Sequence, residues 1–537
     1  GHGPRNAGFE QGVGNRAKIH SGVFLRAVRV RRQRRFRRQS LNSHSHGAES
    51  AIILTLTLVN LDAPARRILT LAPMAPEKCA YALARYSRSP DSILESLEWV
   101  RTHDSQKFLK SFYFDYGHAS IADLGHVVMC FENISELAAT EIEDEPVWDG
   151  QARSSRYQDF SRSGFVTPPG LEAHQQSRYR EAGAALLAGY TRIHARMSQH
   201  LADKLPRPAS MSEEAYRRNI AARAFDVARY LLFLGVPTSV GQVASIRTLE
   251  KQIRRLKGSP YPELREIAGE IASACAAPPA CGLDRDAARE PIAPTLAQFV
   301  DVDQYTLNAR ENLALWARQN LPAASGLEVR RVDLVRPAAT AADIVATLLY
   351  SVSQRPFREL YELAASWPAA MGNEVIEVAI AGRGKRDDLL RAFRGAPYAF
   401  DIVMDIGAYR DLHRHRRCHQ FRQSYSDRLG FETPPALIEA GLGGECDAAI
   451  ASAHAVAREL PATASHYLLP FATRSRFLFK MDFAELDYIV RVRSGVKGHF
   501  SYRQVVWEMK CRLEEQEPEL ARTIEATPPR IEDPLAR

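Results

Sequence analysis

The sequence predicts an α+β protein in which one unit, a mixed or antiparallel sheet covered by helices with a long helical C-terminal part, occurs twice. Three observations carry this. Short motifs recur in the same order along the chain, each copy passes from a strand pattern through an amphipathic helix to a β-rich run, and each ends in long stretches of helical pattern.

The recurrence is read from three alignments. LAPMAPEKCAYALARYS (71–87) matches VRPAATAADIVATLLYS (335–351), sharing Pro73/Pro337, Tyr86/Tyr350 and Ser87/Ser351. FVTPP (165–169) recurs as FETPP (431–435), and ARYLLFL (228–234) as SHYLLPF (465–471). The offsets are 264, 266 and 237, so the first copy holds about thirty extra residues between 170 and 227. The Pro- and Ala-rich stretches ACAAPPACG and REPIAPT (274–295) read as a linker. The chain then divides into a tail (1–50), a first unit (51–290) and a second unit (291–537).

Within each unit the elements follow from periodicity. ARRILTL (65–71) and EVRRVDLV (328–335) alternate as short strands. Residues 80–86 and 344–350 carry the apolar spacing of helices. The runs HVVMCFEN (126–133) and APYAFDIVMD (396–405) are rich in β-formers. Each unit is predicted to end in long helices, over 222–257 and 465–515.

Composition narrows the function classes. At 537 residues with 45% hydrophobic content the chain can bury large cores, and no apolar run reaches the length of a membrane helix. Seven scattered cysteines without CxxC pairs point to free thiols in a reducing cytosol. Residues 1–50 carry ten arginines, one lysine and two acids, a net of +9, which leaves −1 for residues 51–537 out of the chain's +8. The basicity belongs to the tail, which is predicted to be disordered, and a neutral body argues against a nucleic-acid surface.

One short stretch concentrates chemistry: HRHRRCHQFRQS (413–424). A metal site is disfavoured, because four arginines crowd His413, His415 and His419 and only Asp411 stands near as a carboxylate. A solvated basic loop is the bland alternative. An anion site is the third, since arginine's planar fork suits phosphate and carbonyl oxygens. GRGKRDD (382–388) and GLGGE (441–445) lack phosphate-loop spacing and read as turns. Cys418 has no organised base beside it, which argues against a catalytic thiol.

Arg414-His415-Arg416, seven residues and Ser424 resemble the RHR-x7-S signature of the flavin-dependent thymidylate synthases. The first unit adds YGHASIAD (116–123), similar to that family's GHxSxxEH segment, and SSRYQDF (154–160), similar to its SxRY element. ARYLL (228–232) and IRTLEKQIRRL (246–256) resemble its arginine-bearing helices. The resemblance covers most of residues 70–515 as two diverged copies with complementary losses. Asp144-Glu145-Pro146 stand where the first unit would carry RHR, and His466 and Ala484 stand in the second unit where the first has Arg229 and Arg247.

The resemblance implies reductive methylation of dUMP to dTMP, with methylenetetrahydrofolate and NADPH as co-substrates and FAD as cofactor. By it, Arg414, His415, Arg416, Arg247, His118 and Ser120 would hold the flavin. Arg229 with Ser424, or Ser426 with Arg428, would hold the nucleotide phosphate, a role Ser154 and Arg156 match in the first unit. Arg493 matches the family's late active-site arginine. One composite site is expected where the second unit's RHR faces Arg229 and Arg247. The opposite grouping, Ser154 and Arg156 with His466 and Arg493, is expected to be degenerate. A homodimer forming a pseudo-tetramer is the matching assembly.

Overall fold

The computed structural model describes residues 69–535, apart from 105–118, 283–288, 296–299, 324–328 and a few shorter gaps. The tail (1–50), most of the strand predicted over 65–71, and His118 lie outside the described residues. Ala72–Arg537 packs as one compact unit.

Two antiparallel sheets organise it. The first holds β1 (His126–Ser135), β2 (Asp149–Ala152) and β3 (Pro237–Ser245) in the order β1-β3-β2. The second holds β4 (Val332–Val335), β5 (Tyr398–Asp405), β6 (His419–Arg422) and β7 (Arg474–Met481) in the order β4-β5-β7-β6. The second sheet thus repeats the first and adds an edge strand.

The α+β reading agrees with this architecture, but the two stretches expected to be helical do not. β3 lies inside 222–257 and β7 inside 465–515. Each is a central strand, paired on both sides. β3 buries Thr238, Val240, Gln242 and Ala244 at every second position. β7 is buried at every residue after Arg474, and such a run cannot be told from a buried helix by periodicity. Sheet pairing, which is non-local, decided both.

Strand ends are built alike in both repeats. β1, β3, β5 and β7 each run into a helix through a capping side chain. Ser135 accepts from Ala138 N, Ser245 from Thr248 N, Asp405 from Ala408 N and Asp482 from Glu485 N. Each cap satisfies one orphan donor, about 1 kcal/mol, and fixes where the following loop emerges. The extra residues of the first repeat lengthen a helix: Ala173–Lys204 spans 32 residues against 17 for Gly443–Glu459, and Arg192 and Arg196 of the longer one pair with Glu445 of the shorter.

The recurring YLL segments meet each other. Phe233 and Pro470 form an isolated antiparallel bridge, with Leu234 N donating to Leu469 O at 3.2 Å and Phe471 N to Leu232 O at 2.7 Å. Equivalent positions pair across a local pseudo-twofold, and one hydrophobic core runs through both repeats. A second core covers the outer face of β4–β7 with helices that include Thr340–Tyr350 and Phe357–Ser366. There the fully buried Lys480 of β7 donates to Asp343 at 2.6 and 2.7 Å and to Thr347 at 3.1 Å.

Asp343→Ala should therefore strand a buried ammonium and lower stability by about 3–5 kcal/mol, measured by chemical denaturation. Replacing both partners with apolar residues of similar volume should recover most of the loss.

Candidate functional site at the seam between repeats

The helices Glu136–Glu143 and Ile406–Leu412 each begin at a capped strand end and stop before a short edge strand. Counting from the caps Ser135 and Asp405 superposes Asp144-Glu145-Pro146 on Arg414-His415-Arg416. The seam brings the second unit's loop against β2 of the first. Arg414 Nη1 donates to Gln151 Oε1 at 3.2 Å, while Arg416 Nη2 lies 2.6 Å from Asp149 Oδ1 and its guanidinium stacks 5.0 Å from the Trp148 ring.

His415 is buried between them. Arg493 Nε donates to His415 Nε2 at 2.8 Å, which leaves the imidazole proton on Nδ1, 3.7 Å from Glu485 Oε1. Burial lowers the His415 pKa and the Arg493 charge lowers it further, against Glu485, so the ring is neutral at pH 7. Arg493 in turn lies over Tyr502, whose hydroxyl accepts from Arg156 Nη1 at 3.2 Å. Burial pushes the Cys418 thiol far up, so it is a protonated packing group.

Behind the loop lies a charge cluster drawn from both units. Arg229, with no exposed surface, lies 3.0 Å from Asp411 Oδ2 and directs Nη1 at Ser155 Oγ, 3.4 Å away. Arg410 meets the same hydroxyl at 3.0 Å and Glu136 at 2.7 Å. Arg156 clasps Asp226 through Nε at 2.6 Å and Nη2 at 3.2 Å. Burial by itself would raise the Asp411 carboxyl, but Arg229, with Arg156, Arg410 and Arg414, outweighs it and holds the group below the usual range. Burial pushes Glu143 up to about 7 in spite of Arg414 and Arg410. Among the described residues, Arg414 and Arg493 have no carboxylate within ion-pair distance, and the Arg414 Nε–H is buried without a partner.

The pseudo-equivalent position is closed by charge pairs. Asp144 meets Arg391 at 2.7 Å, Glu145 meets Arg255 at 2.7 Å, and Glu141 meets Arg422. His466 Nδ1 is 2.7 Å from Tyr261 Oη, with Tyr425 edge-on to its ring. The loop carrying Glu145 is thus a built ion-pair element, and the 20 Å³ cavity beside it is shared with His413, Arg416 and Cys418 of the RHR loop.

This arrangement regroups the residues singled out in the sequence. Arg229 does approach the RHR loop, through Asp411. Arg156 and Arg493, expected with His466, instead share Tyr502 within the RHR cluster, because β2 of the first unit and the helix end at Arg493 converge on the same side of the seam. Ser424 and Arg428 are exposed and Ser426 is half-buried; Tyr425 between them packs on the second cluster, with Arg422 and His466. Arg247, expected to face the RHR, pairs with Asp123 of its own unit at 2.9 Å, near exposed Ser120. Ser154 Oγ accepts from Arg156 N at 3.3 Å.

Sequence reasoning missed Ser155, Asp226, Arg410, Glu485 and Tyr502, and considered Asp411 only as a metal ligand. Arg410 and Asp411 lie in the helix that leads into the RHR, a signal that was available; the others are brought in by folding alone. Two larger cavities, one of 510 Å³ reaching Tyr230 and Asp405 and one of 310 Å³ reaching Asp226 and Gly498, adjoin each other through Pro435, Phe500, Arg503 and Glu532.

A family model for the thymidylate synthase complementing protein matches residues 69–278 and 368–519, each segment holding one three-stranded β1-β3-β2 or β5-β7-β6 sheet. The chain belongs to that family. Relatives named UPF0159 protein include one from Chlamydia muridarum, 25% identical over 408 residues (74% of this chain, 76% of the relative), and one from Chlamydia pneumoniae, 24% identical over 404 residues (73% and 75%). Another, from Thermoplasma acidophilum, is 22% identical over 484 residues (82% and 93%). The family matches two stretches of the chain, and Asp144-Glu145-Pro146 of the first differs at all three positions from Arg414-His415-Arg416 of the second.

Two measurements test the closed cluster. Glu145→Ala leaves Arg255 without its nearest carboxylate and should cost about 1–3 kcal/mol in a denaturation assay. For Asp144, burial opposes ionisation, yet Arg391 with Arg255 and His413 lowers its pKa to about 2. A depressed carboxyl pKa stabilises the fold above the unfolded value near 4, and the gain is lost as pH falls toward 2. The side chain is 32% exposed, so screening trims the effect. Asp144→Asn should destabilise by about 1–2 kcal/mol at pH 7, and the gap from the parent should close between pH 4 and 2.

Proposed function

We propose that this chain is a flavin-dependent thymidylate synthase-like enzyme. It methylates dUMP reductively to dTMP, with methylenetetrahydrofolate as carbon donor and NADPH reducing a bound FAD, in one composite site per chain. The observation that supports this most is the pair Arg414 and Arg493, arginines without carboxylate partners among the described residues, beside a neutral, buried His415 where the two units meet. A buried guanidinium donor with no acceptor suits a group that brings anionic or carbonyl oxygens, as a flavin dinucleotide does. Flavin, when bound, supplies the hydride.

The chain's residues supply binding and order. Arg493 fixes the His415 tautomer and so presents the flat ring in one orientation. Arg416, held by Asp149 and Trp148, closes one side and limits water. Arg414 is the free charge for the ligand. Glu143, balanced near pH 7, can hold a proton beside the loop. A homodimer giving a pseudo-tetramer, in the cytoplasm, is the assembly this reading implies.

A second reading, a nucleotide-binding protein without catalysis or an enzyme on another pyrimidine nucleotide, is favoured by the Arg156–Asp226 and Arg229–Asp411 pairs, which already satisfy two arginines a phosphate would use.

Purified protein should show flavin absorbance or take up added FAD, and should oxidise NADPH only with dUMP and the folate present. Colourless protein that takes up no FAD would refute the proposal, and FAD uptake without dUMP-dependent oxidation would favour the second reading. Arg414→Ala should weaken flavin binding about ten- to hundredfold, the loss of one charge-assisted contact. Arg416→Ala should cost less, because its charge is already paired.

A further inference from the structure

Each arginine of the composite cluster can be sorted by what it already holds. Arg156 has Asp226, Arg410 has Glu136, Arg416 has Asp149, and Arg229 has Asp411. The first three acceptors come from the first unit's own framework. Asp411 differs. It lies on the helix leading directly into the RHR loop, three residues before Arg414, and its side chain keeps 16% exposure while Arg229 keeps none. Its carboxylate sits where an incoming anion would have to meet Arg229, and Arg229 Nε–H is buried without an acceptor. Ser155 Oγ accepts from both Arg229 and Arg410, so Arg229 spans from this hydroxyl to Asp411.

We infer that Asp411 is a resident counter-anion that competes with a ligand phosphate for Arg229, so that it sets how strongly the site discriminates between a pyrimidine nucleotide and the nucleoside. This rests on the proposed reading of the site as nucleotide-binding. A second oxyanion beside Asp411 would repel it, so a phosphate enters only as the carboxylate swings off Arg229. The phosphate then exchanges one ion pair for another and adds little net affinity. Recognition of the remaining ligand falls to Arg414 and Arg493, whose charges are uncompensated.

The test is calorimetric titration of the full chain with dUMP, deoxyuridine and inorganic phosphate. In the parent protein, dUMP should bind less than tenfold more tightly than deoxyuridine. Asp411→Asn keeps an acceptor for Arg229 but removes the charge, and should tighten dUMP and inorganic phosphate by tenfold or more while leaving deoxyuridine unchanged. Asp411→Glu keeps the charge and should keep the weak phosphate preference. A parent preference for dUMP of tenfold or more, or an Asn variant no tighter for phosphate, would overturn the inference; the parent measurement decides even if the variants fail to fold. Flavin uptake is read separately by absorbance. Protein without flavin that still gains phosphate affinity in the Asn variant would refute the proposed activity and uphold the role of Asp411.

Discussion

The short antiparallel seam at Phe233 and Pro470 is the constraint on which the rest depends. It joins two copies of one unit at equivalent residues, so that the segment after β1 in one copy must face the segment after β5 in the other. Both of those segments carry charge. A pseudo-twofold contact of this kind forces two like loops toward one buried surface, and burial of unpaired charge is prohibitive. Opposite charge on one of the two loops relieves that cost.

The two sides of the seam answer that requirement differently. On one side Asp144, Glu145 and Glu141 meet Arg391, Arg255 and Arg422, and the space is closed. On the other, the arginines outnumber their carboxylates, and the excess falls on Arg414 and Arg493 next to His415. The closed side supplies complementary charge that holds the repeats together. The open side keeps an electrostatic appetite that a ligand can satisfy.

Much of this was legible beforehand, in particular places. The repeats, the RHR loop and the loss of its counterpart at Asp144-Glu145-Pro146 are contiguous in sequence, and the caps at Ser135 and Asp405 follow from local chemistry. The central strands were not legible. β7 is apolar on both faces and β3 is bracketed by helix formers, so only their partners on each side define them. Nor was the grouping of Arg156 with Arg493, since that depends on where Tyr502 stands after folding. Ser424 and Ser426, chosen for spacing from the RHR, follow β6, and the residue between them, Tyr425, packs on the other cluster.

The sequence by itself determined the inventory: two copies of an α+β unit, one arginine-histidine-arginine loop, and the acidic triplet that replaces the other. These are properties of neighbours along the chain, and periodicity, capping and motif spacing report them directly. Only the tertiary structure decided which charges compensate which. Whether Arg229 is free or held by Asp411, and whether Arg493 sits with His415 or His466, turns on contacts between residues 78 to 182 positions apart. Those contacts are set by the seam and by burial of both repeats in one core, which no local pattern encodes.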